Sequence, residues 1–295
     1  MKRVLDERPY VGRFAPSPTG PLHLGSLCTA LAGFLQARTH QGLWLLRIDD
    51  LDTPRNIKGA ADSILKTLDA FTLHWDGREV YQSQYLDAYD EMLNELAKNK
   101  LLYPCVCSRK SLSDSRPCVC RHKQAPPDGP YALRIKADRR LISFQDALQG
   151  LISHRFEGQA DDFILKRKDR IIAYQFAVVI DDDLQQVNHI VRGVDLLDST
   201  PKQIYLQQLL GLMTPNYMHV PVIIDEDGFK LSKQTLATAV DLKNPQAVIF
   251  KLLSLLKQNP PDELQHAPST ELLNWAIENW NPARLNNVQA IRKSD

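Results

Sequence analysis

The sequence predicts an α/β protein whose parallel sheet is split by an insertion and followed by a mostly helical C-terminal region. Over residues 1–100, short apolar runs alternate with helical segments, which is the pattern of parallel strands joined by helices. Over residues 101–170, cysteine, proline and basic residues interrupt that alternation and indicate an insertion. The second half of the sheet is expected over residues 171–225, and a lysine-bearing loop with helices over residues 226–295.

The first half is predicted to contain two strands and three helices. Apolar runs indicate strands at residues 10–15 and 43–48, and the second strand ends in an acidic turn that starts at Asp49. The first helix, at residues 22–37, is rich in small apolar residues and suits close packing on a sheet. The other two helices are predicted at residues 57–71 and 85–98.

The second half is predicted to resume the strand pattern after the insertion. Strand-like apolar runs occur at residues 163–166, 171–180, 189–192 and 220–224. A helix is expected after Ser199, because a serine or threonine cap is followed by a proline in the first turn. From residue 244 onward the pattern is mostly helical.

The composition is that of an ordinary soluble globular protein. Hydrophobic residues make up 43% and charged residues 24% of the 295 residues, a length that fits two domains or one domain with an insertion and a tail. No apolar run is long enough to span a bilayer, and the first residues lack the apolar core of a signal peptide. The default expectation is a cytoplasmic monomer without membrane partners, in a compartment that keeps thiols reduced.

The positive charge of the chain is unevenly distributed, although the formal net charge is only +1. Between Cys105 and Arg140, nine lysine and arginine residues accompany three aspartates, a local excess of six positive charges. A basic segment in a near-neutral protein favours a polyanionic partner such as RNA. The alternative is a solvated surface loop.

The most informative segment, Arg13 to Ser26, joins the first strand to the first helix. Ligands of open α/β sheets bind beyond the carboxyl ends of the strands, so His23 and Gly25 are expected in the first helical turn beside a phosphate. Gly25 has no Cβ to block the approach of adenosine, and His23 can donate a hydrogen bond to the α-phosphate. Taken alone, His23 is more often a surface or capping histidine.

A second segment, Lys230 to Gln234, supplies positive charge far along the chain. Lys233, together with Lys230, is expected to neutralise the β- and γ-phosphates and to stabilise a charged transition state. A lone loop lysine is more often simply solvated. The occurrence of this segment together with the segment Arg13 to Ser26 is what indicates ATP binding. His23 and Lys233 are then the expected catalytic pair. The predicted nucleotide contacts are His23, Gly25, Ser26, Lys230, Ser232 and Lys233.

At these residues the chain resembles a known family. The segments His23 to Ser26 and Lys230 to Gln234 look like the HIGH and KMSKS signatures of class I aminoacyl-tRNA synthetases. Arg13 to Ser26, followed by Arg47 to Asp52, is similar to the glutamyl branch of that class, and the resemblance covers most of the chain. It implies a Rossmann-type domain split by an insertion, ATP with Mg²⁺, an aminoacyl-adenylate intermediate and a helical stem-contact region after the lysine loop.

The same resemblance implies the residues that bind the amino acid, which are Arg13, Ala15, Ser17, Asp49, Tyr174 and Arg192. Two arginines suit a substrate with two carboxylates, because guanidinium pairs with carboxylate through two hydrogen bonds, and a protein carboxylate suits the substrate ammonium. The family usually has glutamate where this chain has the shorter Asp49, and L-glutamate is still the expected substrate. Without the resemblance, Tyr174 is interpreted as a core residue and Arg192 as part of a surface ion pair.

Four of the five cysteines form two Cys-x-Cys pairs, Cys105 with Cys107 and Cys118 with Cys120. Two such pairs around a short basic loop favour one tetrahedral structural Zn²⁺ over two disulfides in a reducing compartment. Unmetallated thiols are the alternative. Members of the resembled family often have three cysteines and a tyrosine here, and Cys118 would replace the tyrosine. Cys28 is expected in the apolar core.

The resemblance also predicts the reaction. The chain stops near the point where the anticodon-binding region of a full glutamyl-tRNA synthetase begins, so it resembles the shortened paralogues of that enzyme. Those paralogues activate L-glutamate with ATP without needing tRNA, and then transfer it to the queuosine base in the anticodon of tRNA(Asp). The basic insertion is expected to help hold the RNA.

Three other functions stay open on the sequence. A truncated but ordinary glutamyl-tRNA synthetase would charge the 3′ end of tRNA. A non-catalytic module would bind tRNA without activating an amino acid. A related ligase would use another amine or alcohol as the acceptor.

Overall fold

The structure, a computed structural model, describes residues 8–108, 118–123, 127–231 and 240–294. Its helices are α1 (Leu24–Thr39), α2 (Ala60–Ala70), α3 (Leu86–Lys98), α4 (Tyr174–Leu184), α5 (Thr200–Leu210), α6 (Pro245–Leu255) and α7 (Ser269–Asn279). Its strands are β1 (Val11–Phe14), β2 (Leu43–Ile48), β3 (Val80–Tyr81), β4 (Leu102–Cys105), β5 (Ala132–Ile135), β6 (Arg139–Asp146), β7 (Gly150–Glu157), β8 (Ile164–Lys166), β9 (His189–Gly193), β10 (Asn216–Val220), β11 (Val222–Ile224) and β12 (Ala290–Arg292).

Parallel strands form the centre of the fold. β1, β2 and β3 pair in that order and all in parallel, and β9 pairs in parallel with β10. A backbone hydrogen bond of 3.0 Å from Asn188 N to Val11 O ties the start of β9 to β1. The helix α1 connects β1 to β2, as expected for parallel strands, which need a crossover connection. The predicted parallel sheet with helices is therefore confirmed.

One predicted strand is wrong. Residues 171–180, which the apolar pattern predicts as a strand, belong mostly to helix α4. The helix is buried over most of its surface, since Phe176, Ala177, Val178, Val179 and Ile180 are all at most 3% exposed. Because this run of five residues covers every side of the helix, it shows no polar face that would reveal the helical period, and its sequence looks like that of a buried strand.

The predicted strand at residues 220–224 is divided in two. β10 ends at Val220 and β11 begins at Val222, with Pro221 between them. Proline has no backbone N–H to donate to a ladder, which favours a break at this position. β10 continues the central sheet beside β9, whereas β11 pairs in parallel with β12 near the C-terminus.

The segment between the two halves of the sheet contains mostly antiparallel strands. β4, β5 and β8 form one small sheet, and β6 and β7 form a hairpin. The hairpin pairs in parallel with β10 at Asp146 and Tyr217, so it extends the sheet that contains β9. The division into domains at residues 100, 170 and 225 stays a prediction.

The C-terminal helices pack on the first helix of the chain. Leu27 of α1, Leu252 of α6 and Leu272 of α7 are fully buried in one apolar core. Trp280 Nε1 donates a hydrogen bond of 2.6 Å to Gln36 Oε1 at the edge of that core. This packing fixes α1, and with it the helix start that follows β1. Within the described part of the chain, the helices are all too short or too polar to cross a membrane.

Candidate functional site

A cavity of about 290 Å³ lies where β1, β2 and β9 end. It is lined by Arg13 and the turn after β1, by Asp49 after β2, by Arg192 of β9 and by the first turn of α1. Lys230 and Leu231, at the end of a described range, complete the wall. The cavity therefore occupies the carboxyl edge of the parallel sheet, where ligands of open α/β folds bind.

His23 caps the start of α1. Its Nδ1 accepts a hydrogen bond of 3.2 Å from Ser26 N, and Ser26 Oγ accepts one of 3.0 Å from His23 N. Such reciprocal capping fixes the ring beside the unpaired backbone N–H groups and positive dipole end of the helix, which favour phosphate. Because Nδ1 is an acceptor, a neutral ring carries its proton on Nε2, the nitrogen that can then donate to a ligand.

Leu231, at the end of a described range, lies close to the same helix start. A Cβ built on Gly25 would lie 3.3 Å from His23 Nδ1 and 3.4 Å from Leu231 O. Lys230 Nζ forms an ion pair of 2.5 Å with Asp195 Oδ2, and both residues line the cavity.

Two arginines share one buried carboxylate beside the cavity. Asp182 Oδ1 lies 3.0 Å from Arg13 Nε and 2.7 Å from Arg47 Nη1. Burial alone would raise the pKa of Asp182, but the two guanidinium groups outweigh it and hold the pKa below its ordinary value. Asp182 is thus ionised at neutral pH and fixes the orientation of both arginines.

Asp49 is held at the cavity wall by Arg47. Arg47 Nε donates a hydrogen bond of 2.8 Å to Asp49 Oδ1, and Arg47 is fully buried. Burial raises the pKa of Asp49 even though Arg47 and Arg13 oppose the shift. A cation that entered the cavity beside Asp49 would favour its ionised form, as an ammonium group would do.

A second acid, Asp181, also lies close to Arg47, with its Oδ2 at 3.7 Å from Arg47 Nε. It accepts hydrogen bonds from Tyr89 Oη at 2.5 Å and from Gln82 Nε2 at 2.6 Å, and it is fully buried. Burial raises the pKa of Asp181 to about 6, with Arg47 acting in the opposite direction.

Arg192 presents a buried guanidinium to the cavity. Its Nε donates to His219 Nε2 at 3.0 Å, and its Nη2 donates to Thr200 Oγ1 at 2.7 Å. Its Nη1 is buried and has no hydrogen-bond partner among the residues that the structure describes. Arg192 is only 3% exposed, and leaving a buried donor unpaired costs about 1–3 kcal/mol, so this nitrogen is suited to an anionic ligand.

The four paired cysteines form a candidate metal centre apart from the cavity. Their Sγ atoms all lie within 4.8 Å of one another. Cys118 Sγ is 3.4 Å from Cys105 Sγ and 3.7 Å from Cys107 Sγ, and Cys107 Sγ is 3.8 Å from Cys120 Sγ. Four sulfur ligands around a tetrahedral ion with bonds of about 2.3 Å are separated by roughly 3.8 Å, so these thiols could hold a metal ion such as zinc.

Comparison with known proteins decides the family. The sequence model of the class I tRNA synthetases (E and Q), catalytic domain, matches residues 10–253. The chain belongs to this family. A relative in Dechloromonas aromatica, named glutamyl-Q tRNA(Asp) synthetase, is 46% identical over 283 residues, which cover 92% of this chain and 94% of the relative. A protein of the same name in Methylococcus capsulatus is 46% identical over 281 residues, covering 94% and 93%.

A solved structure is similar over almost the whole chain. It is a glutamate tRNA ligase from Elizabethkingia meningosepticum in complex with its amino acid, 24% identical, with a TM-score of 0.79 over 97% of this chain and 67% of that chain. The similarity shows that the two proteins share a fold. The class I synthetase fold that the sequence implied is therefore confirmed.

The structure brings together the predicted ATP-binding and glutamate-binding residues that lie within its described ranges. The residues predicted for the nucleotide and for the amino acid line one cavity, namely Arg13, Ala15, Ser17, His23, Gly25, Ser26, Asp49, Tyr174, Arg192 and Lys230. Ser232 and Lys233 lie outside the described residues. Tyr174 is not a core residue, since it begins α4 and is 39% exposed, and Arg192 is not on the surface.

Sequence reasoning missed the acids and the histidine that hold the arginines. Asp181 and Asp182 follow an apolar run, and adjacent acids at the end of such a run signal buried charge that needs a partner. Asp195, the partner of Lys230, lies three residues after Arg192. His219 and Asp146 carry no sequence signal, because only the pairing of β6 with β10 brings them together.

Replacing Gly25 with alanine should raise the Michaelis constant for ATP several-fold and leave that for glutamate unchanged. The added methyl group would press on the His23 ring at the nucleotide side of the cavity and fill the space up to the Leu231 carbonyl. Steady-state kinetics of pyrophosphate exchange measures both constants. Gly33→Ala is the matched control in the same helix, since its Cβ would lie 3.2 Å from Trp44 Nε1 of β2, and neither residue lines the cavity. Equal effects of the two variants would contradict the prediction.

Proposed function

We propose that the protein activates L-glutamate with ATP to form glutamyl-adenylate, and transfers the glutamyl group to queuosine in the anticodon of tRNA(Asp). Its 46% identical relatives carry the name glutamyl-Q tRNA(Asp) synthetase. The observation that carries the proposal is the meeting of two arginines, Asp49 and the His23 helix start in one cavity.

Glutamate fits the charges of the cavity. Its two carboxylates suit the guanidinium groups of Arg13 and Arg192, and its ammonium suits Asp49. Arg192 supports this placement because its buried Nη1 lacks a partner among the described residues. Asp49 is one methylene shorter than the glutamate residue that the family usually has at this position. Arg47 holds Asp49 in place at the cavity wall. Ala15, Ser17 and Tyr174 complete the proposed amino-acid site.

ATP with Mg²⁺ would lie along the start of α1. The glutamate α-carboxylate attacks the α-phosphate in line, the bond to the β-phosphate breaks and pyrophosphate leaves. Donors placed where negative charge develops stabilise such a transition state, and His23 and Lys233 are assigned this role. Gly25, Ser26, Lys230 and Ser232 are assigned to nucleotide binding.

The second step is an acyl transfer. A hydroxyl of the cyclopentenediol ring of queuosine attacks the adenylate carbonyl, an ester bond forms and AMP leaves. No protein base is assigned to this step, since the phosphate of the adenylate can accept the hydroxyl proton.

The activation step is tested by exchange of labelled pyrophosphate into ATP without tRNA. The proposal predicts exchange that depends on L-glutamate and does not occur with aspartate or glutamine. Preferred exchange with another amino acid would contradict the assignment of the amino-acid site. Absence of exchange with every amino acid would favour a non-catalytic RNA-binding module.

The cysteine centre is proposed to hold one structural zinc ion that stabilises the small β4–β5–β8 sheet. Purified protein should contain about one zinc ion per chain. Cys118→Ser should lower both the zinc content and the melting temperature, because Cys118 Sγ lies close to two of the other thiols. Cys28→Ser is the control, since Cys28 is buried in α1 and should leave the zinc content unchanged. Equal zinc content in both variants would contradict the assignment.

A basic cleft beside the cavity is proposed to hold the RNA backbone. Tyr131, Lys166, Arg167, Lys168 and Arg170 line this cleft, which has a volume of about 540 Å³. It is connected to the amino-acid site through short stretches of chain, because Arg170 precedes the cavity residue Tyr174 by four positions and Arg167 donates at 3.3 Å to Asp52, three positions after Asp49. Cationic and aromatic side chains together suit phosphates and unstacked bases.

Arg170→Glu should lower the efficiency of transfer to tRNA by about tenfold without changing glutamate-dependent pyrophosphate exchange. The exposed Arg170 lines the cleft but not the amino-acid cavity. Arg155→Glu makes the same charge reversal on the exposed side of β7, and it should affect neither reaction. A loss of exchange in Arg170→Glu, or equal losses of transfer in both variants, would contradict the placement of the RNA.

A further inference from the structure

Arg192 is held by two partners from different elements. Its Nε donates to His219 Nε2 of β10 at 3.0 Å, and its Nη2 donates to Thr200 Oγ1 at the start of α5 at 2.7 Å. Both partners are fully buried. The guanidinium plane is therefore fixed by contacts that leave the buried Nη1 without a partner among the described residues.

His219 is in turn held by Asp146. His219 Nδ1 donates to Asp146 Oδ2 at 2.6 Å, and neither side chain is exposed. Asp146 Oδ1 also accepts backbone hydrogen bonds from Leu148 N at 3.0 Å and from Gln149 N at 2.9 Å. These bonds lock the carboxylate at the end of β6, and the imidazole with it.

The chain of bonds specifies one form of the histidine. Since Nδ1 donates to a carboxylate and Nε2 accepts from a guanidinium, His219 is a neutral ring with its proton on Nδ1. Burial lowers the pKa of His219, and the charge of Arg192 acts in the same direction. Burial would raise the pKa of Asp146, but His219 and the backbone donors outweigh it and hold that pKa low. An ionised Asp146 thus makes Nε2 a better acceptor for Arg192.

We propose that Asp146 and His219 are positioning residues, which aim the guanidinium of Arg192 at a carboxylate of the amino-acid substrate. The inference rests on the proposed role of Arg192 in binding glutamate. Neither Asp146 nor His219 lines the cavity, so both would act on the substrate only through Arg192. A guanidinium that is aimed before the ligand arrives binds a carboxylate more tightly, because less freedom is lost on binding.

A purely structural role would have different consequences. The same bonds connect the β6–β7 hairpin to β9 and β10, so their loss could merely loosen the sheet. Loosening the sheet would lower the melting temperature and impair ATP and glutamate binding alike. A positioning role instead affects glutamate selectively, and it depends on an acceptor at the place of Nε2.

The experiment compares two variants of His219 in the full-length protein by pyrophosphate exchange. His219→Asn keeps a polar group near Nδ1 but removes the acceptor of Arg192, and it should raise the Michaelis constant for glutamate by roughly 10- to 100-fold with that for ATP unchanged. His219→Gln places an amide oxygen near the position of Nε2 and should recover a substantial part of the loss. His189→Asn, at the other end of β9, is the matched control and should behave like wild type.

Arg192→Lys, measured in the same assay, separates this inference from the proposed function. If Arg192→Lys raises the constant for glutamate but His219→Asn stays within about twofold of wild type, the positioning role is overturned and the function stands. Equal effects of His219→Asn on glutamate and ATP, with a lowered melting temperature and no recovery by His219→Gln, would also overturn it. If Arg192→Lys changes neither constant, the assignment of Arg192 to glutamate fails and the positioning role fails with it.

Discussion

Replacing His23 with serine should reduce glutamate-dependent pyrophosphate exchange by about 100- to 1000-fold, the usual cost of removing one donor that stabilises a developing negative charge. Serine is a good N-cap, so the variant keeps an acceptor for the backbone N–H of Ser26. It lacks the imidazole Nε2–H that is assigned to the α-phosphate. The loss should therefore appear in the turnover number, with little change in the Michaelis constant for glutamate.

Two measurements separate catalysis from folding in this experiment. The melting temperature of His23→Ser should stay close to that of wild type, because the cap is retained. His266→Ser changes an exposed histidine outside the cavity and should leave exchange unaffected. Wild-type exchange by His23→Ser would contradict the catalytic assignment, and a large fall in melting temperature would show that His23 acts mainly as a cap.

Replacing Asp182 with alanine should have the largest effect on stability, a loss of about 3–5 kcal/mol in the free energy of unfolding. Asp182 is the common partner of Arg13 and Arg47, and its removal leaves two buried guanidinium groups without their shared carboxylate. Arg13 would also lose its orientation at the cavity wall. The Michaelis constant for glutamate should therefore rise in the fraction of the protein that stays folded. Denaturant unfolding measures the loss of stability, and pyrophosphate-exchange kinetics measures the Michaelis constant.

The contribution of Asp182 to stability has a defined pH dependence. Burial acts to raise its pKa, but the two arginines hold it below the ordinary value, so the stabilisation is present at neutral pH. It is lost as the pH falls through the lowered pKa, and Asp182→Ala should lack this part of the acid dependence. Asp183→Ala is the control, because the described residues show no ion pair between Asp183 and either arginine. Equal stability of the two variants would contradict the role of Asp182 as the shared partner of the two arginines.

The helix and strands that line the cavity could be predicted because each is determined by residues within its own segment. The small residues after His23, the capping pair His23 and Ser26, and the apolar run before Asp49 each determine the structure of their own segment. The strands β1, β2 and β9 lie where the apolar runs predict them. The resemblance to class I synthetases then supplied the residues that the fold brings to one edge of the sheet.

What the sequence did not reveal depends on contacts between distant segments. Helix α4 was unpredictable because residues 176–180 are apolar and buried on every side of the helix, and Asp182 is buried just after them. His219 and Asp146 are 73 positions apart and meet only through strand pairing. The same limit applies to the acceptor of the reaction, since no local motif encodes queuosine.

Transfer of labelled glutamate to tRNA(Asp) that carries or lacks queuosine tests the proposed function. Stable incorporation is expected only into the queuosine-containing tRNA, and it should be unchanged when the ribose at the 3′ end is blocked. Charging of tRNA(Glu) that disappears when its 3′ ribose is blocked would contradict the proposed function and identify an ordinary glutamyl-tRNA synthetase.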